Sequence, residues 1–420
     1  MPHSADPTLF RGSRRRGWQR TAALLAGTAT ATGVLVALAV PATARAQPAA
    51  VPAGSAWAVS LGDSYISGEA GRWAGNSDDS SQTDALGSTA YYDAGTGEAI
   101  AGCHRSKSAE IAFGTISSAN LACSGAHTAT APYSSGNDFK PGLDFYDDGA
   151  GHQGQALALQ NFSATHRVSM VVVSIGGNDF NFGSVVQTCV EDFLASPTWW
   201  KDYCNDDSSV TANFTSANVT AVTTRIANAL KNVNTALARN GYLTSDYTLV
   251  VQTYPSPLPN GAGIRYTESG YTRQSTGGCG FWNNDANWAN SSALPTINTS
   301  VRNAAVQSGL PNVKIVDVAG LFTGRRLCET GVHMLSETSL ASWRSPGAVD
   351  ASEWVEQIRT VSTVFGPYYV QESLHPNYWG QLALRSCLRQ AYNGGAIRGG
   401  TCTRTGNGLT SAGEPVVGLS

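Results

Sequence analysis

A doubly wound α/β fold is what this 420-residue sequence predicts, on two observations. The first is a set of apolar, β-branched runs, each closing on glycine, asparagine or proline. They are "WAVSLG" near residue 60, "VSMVVVSIGG" from Val168, "YTLVVQTYP" from Tyr247 and "VKIVDVAG" from Val313, with a weaker "SANLACSG" ending at Gly125. Runs that stay apolar without alternation suit parallel strands covered on both faces. The second is "VTAVTTRIANALKNVNTALARNG", which lies between two of these runs. Its Val219, Val222, Ile226, Leu230, Val233 and Leu237 recur at three- and four-residue steps, so it reads as an amphipathic helix ending at Gly241. Strand, helix, strand in that order builds a parallel sheet, and its binding crevice lies at the carboxyl ends of the strands.

The N-terminus reads as a segment outside that fold. "RGSRRRGWQR" is basic, residues 21–40 are apolar and alanine-rich, and "PATARA" offers small residues for cleavage after Ala46. Residues 1–46 are therefore expected to be a signal peptide; a membrane anchor is the competing reading of the same stretch. Arg14 and Arg15 permit twin-arginine export, and ordinary secretion stays open. Without this leader the chain holds 21 basic and 29 acidic residues, a net charge of −8 with histidine neutral. That acidity argues against a nucleic-acid binder, which needs a basic patch.

Eight cysteines remain, an even number in a chain expected to be exported. Each neighbouring pair brackets a loop-like stretch, so the expected bridges are Cys103–Cys123, Cys189–Cys204, Cys279–Cys328 and Cys387–Cys402. No CxxC or HExxH spacing occurs, and neither metal nor cofactor is expected. Residues 184–218, 255–312 and 321–365 read as long irregular inserts tied down by these bridges. Residues 394–420 read as a poorly packed tail clipped back by Cys402, leaving 47–393 as the main domain.

Chemistry is expected where the strands end. In "GDSYISG" Ser64 either caps the helix that follows or projects as a nucleophile. Gly125 closes "ACSG", Asn178 follows two glycines in "SIGGNDF", and His375 precedes Pro376 in "QESLHPNYWG". Taken singly, each has a bland reading as turn, cap or first-turn residue. Taken in order at successive strand ends, they supply what acyl transfer requires. Ser64 is the nucleophile and His375 the base. The Ser64 and Gly125 N–H groups and the Asn178 carboxamide form an oxyanion hole.

These four blocks resemble those of the SGNH hydrolases, the GDSL lipase and esterase family, in order along nearly the whole chain after the leader. The resemblance implies a flavodoxin-like three-layer α/β/α sandwich with a five-stranded parallel sheet, and the same roles for Ser64, Gly125, Asn178 and His375. The family's usual aspartate, three residues before the histidine, is here Glu372. Similar exported actinobacterial enzymes use a main-chain carbonyl two residues before it, here that of Ser373. Either group is a candidate to orient His375.

Substrate is less legible. Trp199, Trp200, Trp282 and Trp288 fit acyl-chain walls, sugar-stacking platforms or plain packing. By resemblance to secreted actinobacterial lipases and phospholipases, the expected activity is release of fatty acid from lipid esters, glycerophospholipids or lysophospholipids first. An acyl or acetyl esterase of polysaccharide or small esters is the alternative, and a non-catalytic carbohydrate-binding protein a more distant one. The expected setting is extracellular and monomeric, with transient contact to a membrane or micelle surface.

Overall fold

The computed structural model describes residues 50–134, 138–360 and 366–420. The expected signal peptide lies outside the described residues. Seven strands form the main sheet: β1 (Trp57–Gly62), β2 (Ser117–Asn120), β3 (Val168–Ser174), β4 (Thr248–Gln252), β5 (Val313–Asp317), β6 (Gly400–Leu409) and β7 (Pro415–Leu419). Their spatial order is β2-β1-β3-β4-β5-β6-β7. Every pairing from β2 to β6 is parallel, and only β7 runs antiparallel.

The strands' unbroken apolar character follows from burial on both sides. Val59, Leu61, Val171, Val173, Leu249 and Val251 face one core, while Ala58, Met170, Val172, Val250 and Val316 face the other. Helices α2 (Gln155–Ser163), α4 (Ser216–Ala238) and α5 (Leu294–Gln307) cover the first. Helix α6 (Tyr378–Tyr392) and part of α3 (Phe182–Ala195) pack into the second. The helix expected from residues 219–237 is α4. It buries Val222, Ile226, Leu230, Val233 and Leu237, each contributing roughly 1.5–3 kcal/mol.

Two expectations are corrected. The sheet has seven strands rather than five, because residues 400–409 and 415–419 are a hairpin and not a loose tail. β6 joins β5 through Val316–Gly400 and Asp317–Thr401, and Cys402, Val417 and Leu419 enter the core. Alternating Thr, Arg and Gly conceal this strand, whereas β1, β3 and β4 are covered on both sides. The inserts are also less irregular than their polarity suggests, since 182–195 and 294–307 are helices. In α5 the apolar stripe of Ile297, Val301, Ala304 and Ala305 is short, and the buried polar residues Asn298 and Ser300 interrupt it. Asn298 is there for its hydrogen bonds: its side chain accepts from Tyr254 N at 2.8 Å and donates to Tyr254 O at 2.9 Å.

All four neighbouring cysteine pairs are bonded. Among the described residues, no helix is long and apolar enough to cross a membrane.

Candidate active site

β1 ends at Gly62, whose φ of +136° is open to glycine. A Cβ there would stand 1.9 Å from Ser174 O, inside the neighbouring strand. Gln155 clamps the same peptide, accepting from Gly62 N at 2.7 Å and donating to Gly62 O at 2.8 Å. The chain then turns into the single helical turn α1 (Ser64–Ser67). Its cap is Asp63, which accepts from Tyr65 N at 3.2 Å, so Ser64 is not occupied as a cap. Asp63 is buried, and burial pushes its carboxyl up to about 7.

Tyr254, just past β4, ties this turn to the next. Its hydroxyl donates to Asp63 Oδ2 and accepts from Gly177 N at 3.0 Å. Gly177 precedes Asn178, whose Nδ2 donates to Ala126 O at 2.9 Å. One amide proton thus anchors the carboxamide and the other stays available. Asp179 continues the brace, accepting from Thr128 Oγ1 at 2.6 Å and Thr128 N at 3.0 Å. Gly125 sits between these anchors with a φ of +79°, and the Cys103–Cys123 bridge holds the strand end before it. Neither the Ser64 N–H nor the Gly125 N–H donates to another group among the described residues.

His375 arrives from the far end of the chain. Its Nε2 lies 2.6 Å from Ser64 Oγ, and its Nδ1 lies 2.9 Å from Ser373 O. A carbonyl only accepts, so Nδ1 carries the proton and Nε2 is left to accept from the serine hydroxyl. The preceding Leu374 is held at a φ of +62°. Tyr65 OH donates to Leu374 O at 3.0 Å, Leu374 N to Glu356 O at 3.0 Å, and Glu356 N to His375 O at 2.9 Å. Burial lowers the imidazole's pKa below its usual 6.5, against the opposing pull of Glu69, so the ring is neutral near pH 7.

Glu372 does not reach the ring of His375. Its carboxylate accepts from Trp73 Nε1 at 2.9 Å, Tyr91 OH at 2.6 Å and Tyr369 N at 2.9 Å. Burial raises its carboxyl to about 7. Of the two candidates to orient His375, the Ser373 carbonyl is the one in contact. Glu372 instead braces the turn that carries that carbonyl, and its own main-chain oxygen accepts from His375 N at 3.3 Å.

Ser64, Gly125, Asn178, Ser373 and His375 thus line one cavity of about 1000 Å³. One wall is formed by α3, where Phe182, Val186, Val190 and Leu194 stand one helical turn apart, with Gln187 and Glu191 beside them. Sequence reasoning missed Tyr254 and the capping role of Asp63. It also missed Glu69, buried and bound to His104 Nδ1 at 2.8 Å and to Gln371 Nε2 at 2.9 Å. Only the tyrosine stood in view, as the last residue before Pro255 at a strand end. Of the four tryptophans, Trp282 is buried and Trp288 packs against the core, while Trp199 and Trp200 stand in solvent.

No protein-family model and no curated protein matches the chain. Two solved structures are similar over most of it. An extracellular lipase from Streptomyces rimosus shares 20% identity, covering 80% of this chain and 100% of its own, with a TM-score of 0.42. Phospholipase A1 from Streptomyces albidoflavus NA297 shares 19% identity over 80% and 99%, also with a TM-score of 0.42.

Proposed function

We propose that the protein is a serine carboxylic ester hydrolase that releases fatty acid from lipid esters. The observation that carries this reading is the 2.6 Å contact between Ser64 Oγ and His375 Nε2 in a largely apolar cavity. Ser64 attacks the ester carbonyl while His375 takes its proton, held in the right tautomer by the Ser373 carbonyl. The tetrahedral oxyanion is met by the Ser64 and Gly125 N–H groups and the free amide proton of Asn178. Collapse of the intermediate expels the alcohol, which receives the proton from His375. Water, deprotonated by the same imidazole, then releases the acid. Because the orienting group is a neutral carbonyl, the imidazolium formed in the transition state is stabilised by a dipole instead of a carboxylate.

The substrate follows from the cavity wall. The four α3 side chains span about 18 Å at 1.5 Å per residue, the scale of a long acyl chain. Burying such a chain contributes about 0.8 kcal/mol per methylene. Glycerophospholipids or lysophospholipids are the proposed substrates, met outside the cell, where the four disulfides are stable. The test is fatty-acid release from phosphatidylcholine by the wild-type protein beside Ser64→Ala. Release by wild type alone supports both nucleophile and lipid class. Hydrolysis of acetylated xylan or small acyl esters, with no lipid cleaved, would move the polysaccharide esterase ahead.

A further inference from the structure

The helix that lines the cavity ends in an aromatic tip with no role inside it. After Leu194 the chain makes a turn, with Trp200 N donating to Pro197 O at 2.9 Å, and presents Trp199 and Trp200 at 82% and 73% exposure. An indole left so exposed costs free energy unless something covers it, and nothing about this turn is loose. Asp202 N donates to Ser196 Oγ at 3.0 Å, and Lys201 Nζ donates to Glu268 Oε2 at 2.6 Å. The Cys189–Cys204 bridge closes the whole segment. The backbone that carries the two rings is therefore held in place.

The cavity mouth continues this surface. Leu194 and Val370 both line the cavity, yet they are 40% and 45% exposed, and Tyr369 beside Val370 is 51% exposed. From these observations we infer that Trp199, Trp200 and this rim form a docking surface for an uncharged or zwitterionic lipid interface. The inference rests on the lipid-ester reading of the cavity. An apolar body with one polar N–H suits tryptophan to the headgroup boundary. Rigid placement removes the ordering cost that a flexible loop would bring to binding.

Charge selects among lipid surfaces. Glu191, Asp202, Asp206 and Asp207 surround Asp192 at this end of α3, and the turn's own cation, Lys201, is paired with Glu268. Such a surface repels anionic lipid and tolerates phosphatidylcholine. Docked there, the protein presents its cavity mouth to the acyl layer, so a chain leaves the interface without crossing water.

The experiment uses the Ser64→Ala protein for binding and the active protein for turnover. Sedimentation with phosphatidylcholine vesicles should capture Ser64→Ala, and brominated acyl chains should quench its tryptophan emission. Trp199→Ala/Trp200→Ala should lower partitioning and vesicle hydrolysis by about tenfold or more, with hydrolysis of a monomeric short-chain ester unchanged. Trp199→Phe/Trp200→Phe should recover most of the loss. Replacing part of the phosphatidylcholine with phosphatidylglycerol should weaken binding. Undiminished vesicle binding by the double alanine variant overturns the inference, as does tighter binding to anionic vesicles. Retention on xylan that depends on the two tryptophans overturns it too, in favour of a sugar platform. Failure to hydrolyse the short ester would count against the catalytic reading alone, because vesicle binding is measured on a protein without Ser64.

Discussion

Ser64 and His375 meet at one cavity but are placed by different kinds of folding information. The serine stands on a turn whose key residues are consecutive. Gly62 supplies the φ and the missing Cβ, Asp63 the cap, and Ser64 the first helical position. The histidine stands on a turn held from afar: Tyr65 reaches Leu374 across 309 positions, and Trp73 and Tyr91 reach Glu372 across 299 and 281. A locally built turn leaves a short motif. A turn braced by distant partners leaves almost none, which is why the group orienting His375 stayed open between Glu372 and Ser373 until the chain was folded.

The sharpest way to break this comparison is Ser64→Ala, which should lower kcat by about 10⁶ on a short soluble ester. Loss limited to tenfold would remove the serine from the chemistry. Asn178→Ala should come next, with kcat down about 10²–10³ and KM little changed, since it removes a donor used only by the oxyanion. An unchanged kcat would show that the free amide proton does not meet the reacting oxygen.

A stability test compares the tail with the body of the sheet. Cys387→Ser/Cys402→Ser should cost about 3 kcal/mol in denaturant unfolding, the chain-entropy estimate for a 15-residue closure. Glu372→Gln sharpens the contrast between the two turns. As a brace it should lower kcat less than about tenfold, whereas an orienting carboxylate would cost about 10⁴. A loss of the larger size would restore Glu372 to the ring of His375.

The smallest effect is in pH. The base works when neutral, and burial lowers its pKa below 6.5, so the acid limb of kcat/KM should fall below pH 6.5. A limb above that value would mean that Glu69 outweighs burial. The buried acids act on stability instead. Burial raises Asp63 to about 7 and Glu110 and Glu356 to about 8, so the folded state holds protons that the unfolded chain has lost. Their contribution is fully present below about pH 4 and is lost as pH rises through 7–8. Buried neutral His375 opposes this only below 6.5. The melting temperature should therefore be lower at pH 8.5 than at pH 6.5.

Much of the framework was legible because it rests on local pattern. Strands β1, β3, β4 and β5 come from apolar runs, α4 shows its apolar stripe, and the four bridges join neighbouring cysteines. Ser64, Gly125 and Asn178 were named from the ends of apolar runs, since a parallel sheet gathers those ends along one edge, whereas Tyr254 and the α3 wall of the same cavity were not. What escaped was whatever depends on burial by a distant partner. β6 and β7 became strands by adding to an edge that β5 leaves open, and α5 packs beside α4 in one core although Asn298 and Ser300 interrupt its buried face. Tyr254 became the link between Asp63 and Gly177 only when β4 came to lie beside β3. Sequence by itself marked β1, β3, β4, β5 and the short turn under Ser64, because a few neighbouring residues set each of them. Tertiary structure decided what holds His375, what the hairpin is and which tryptophans face solvent, because those depend on which distant surfaces come into contact.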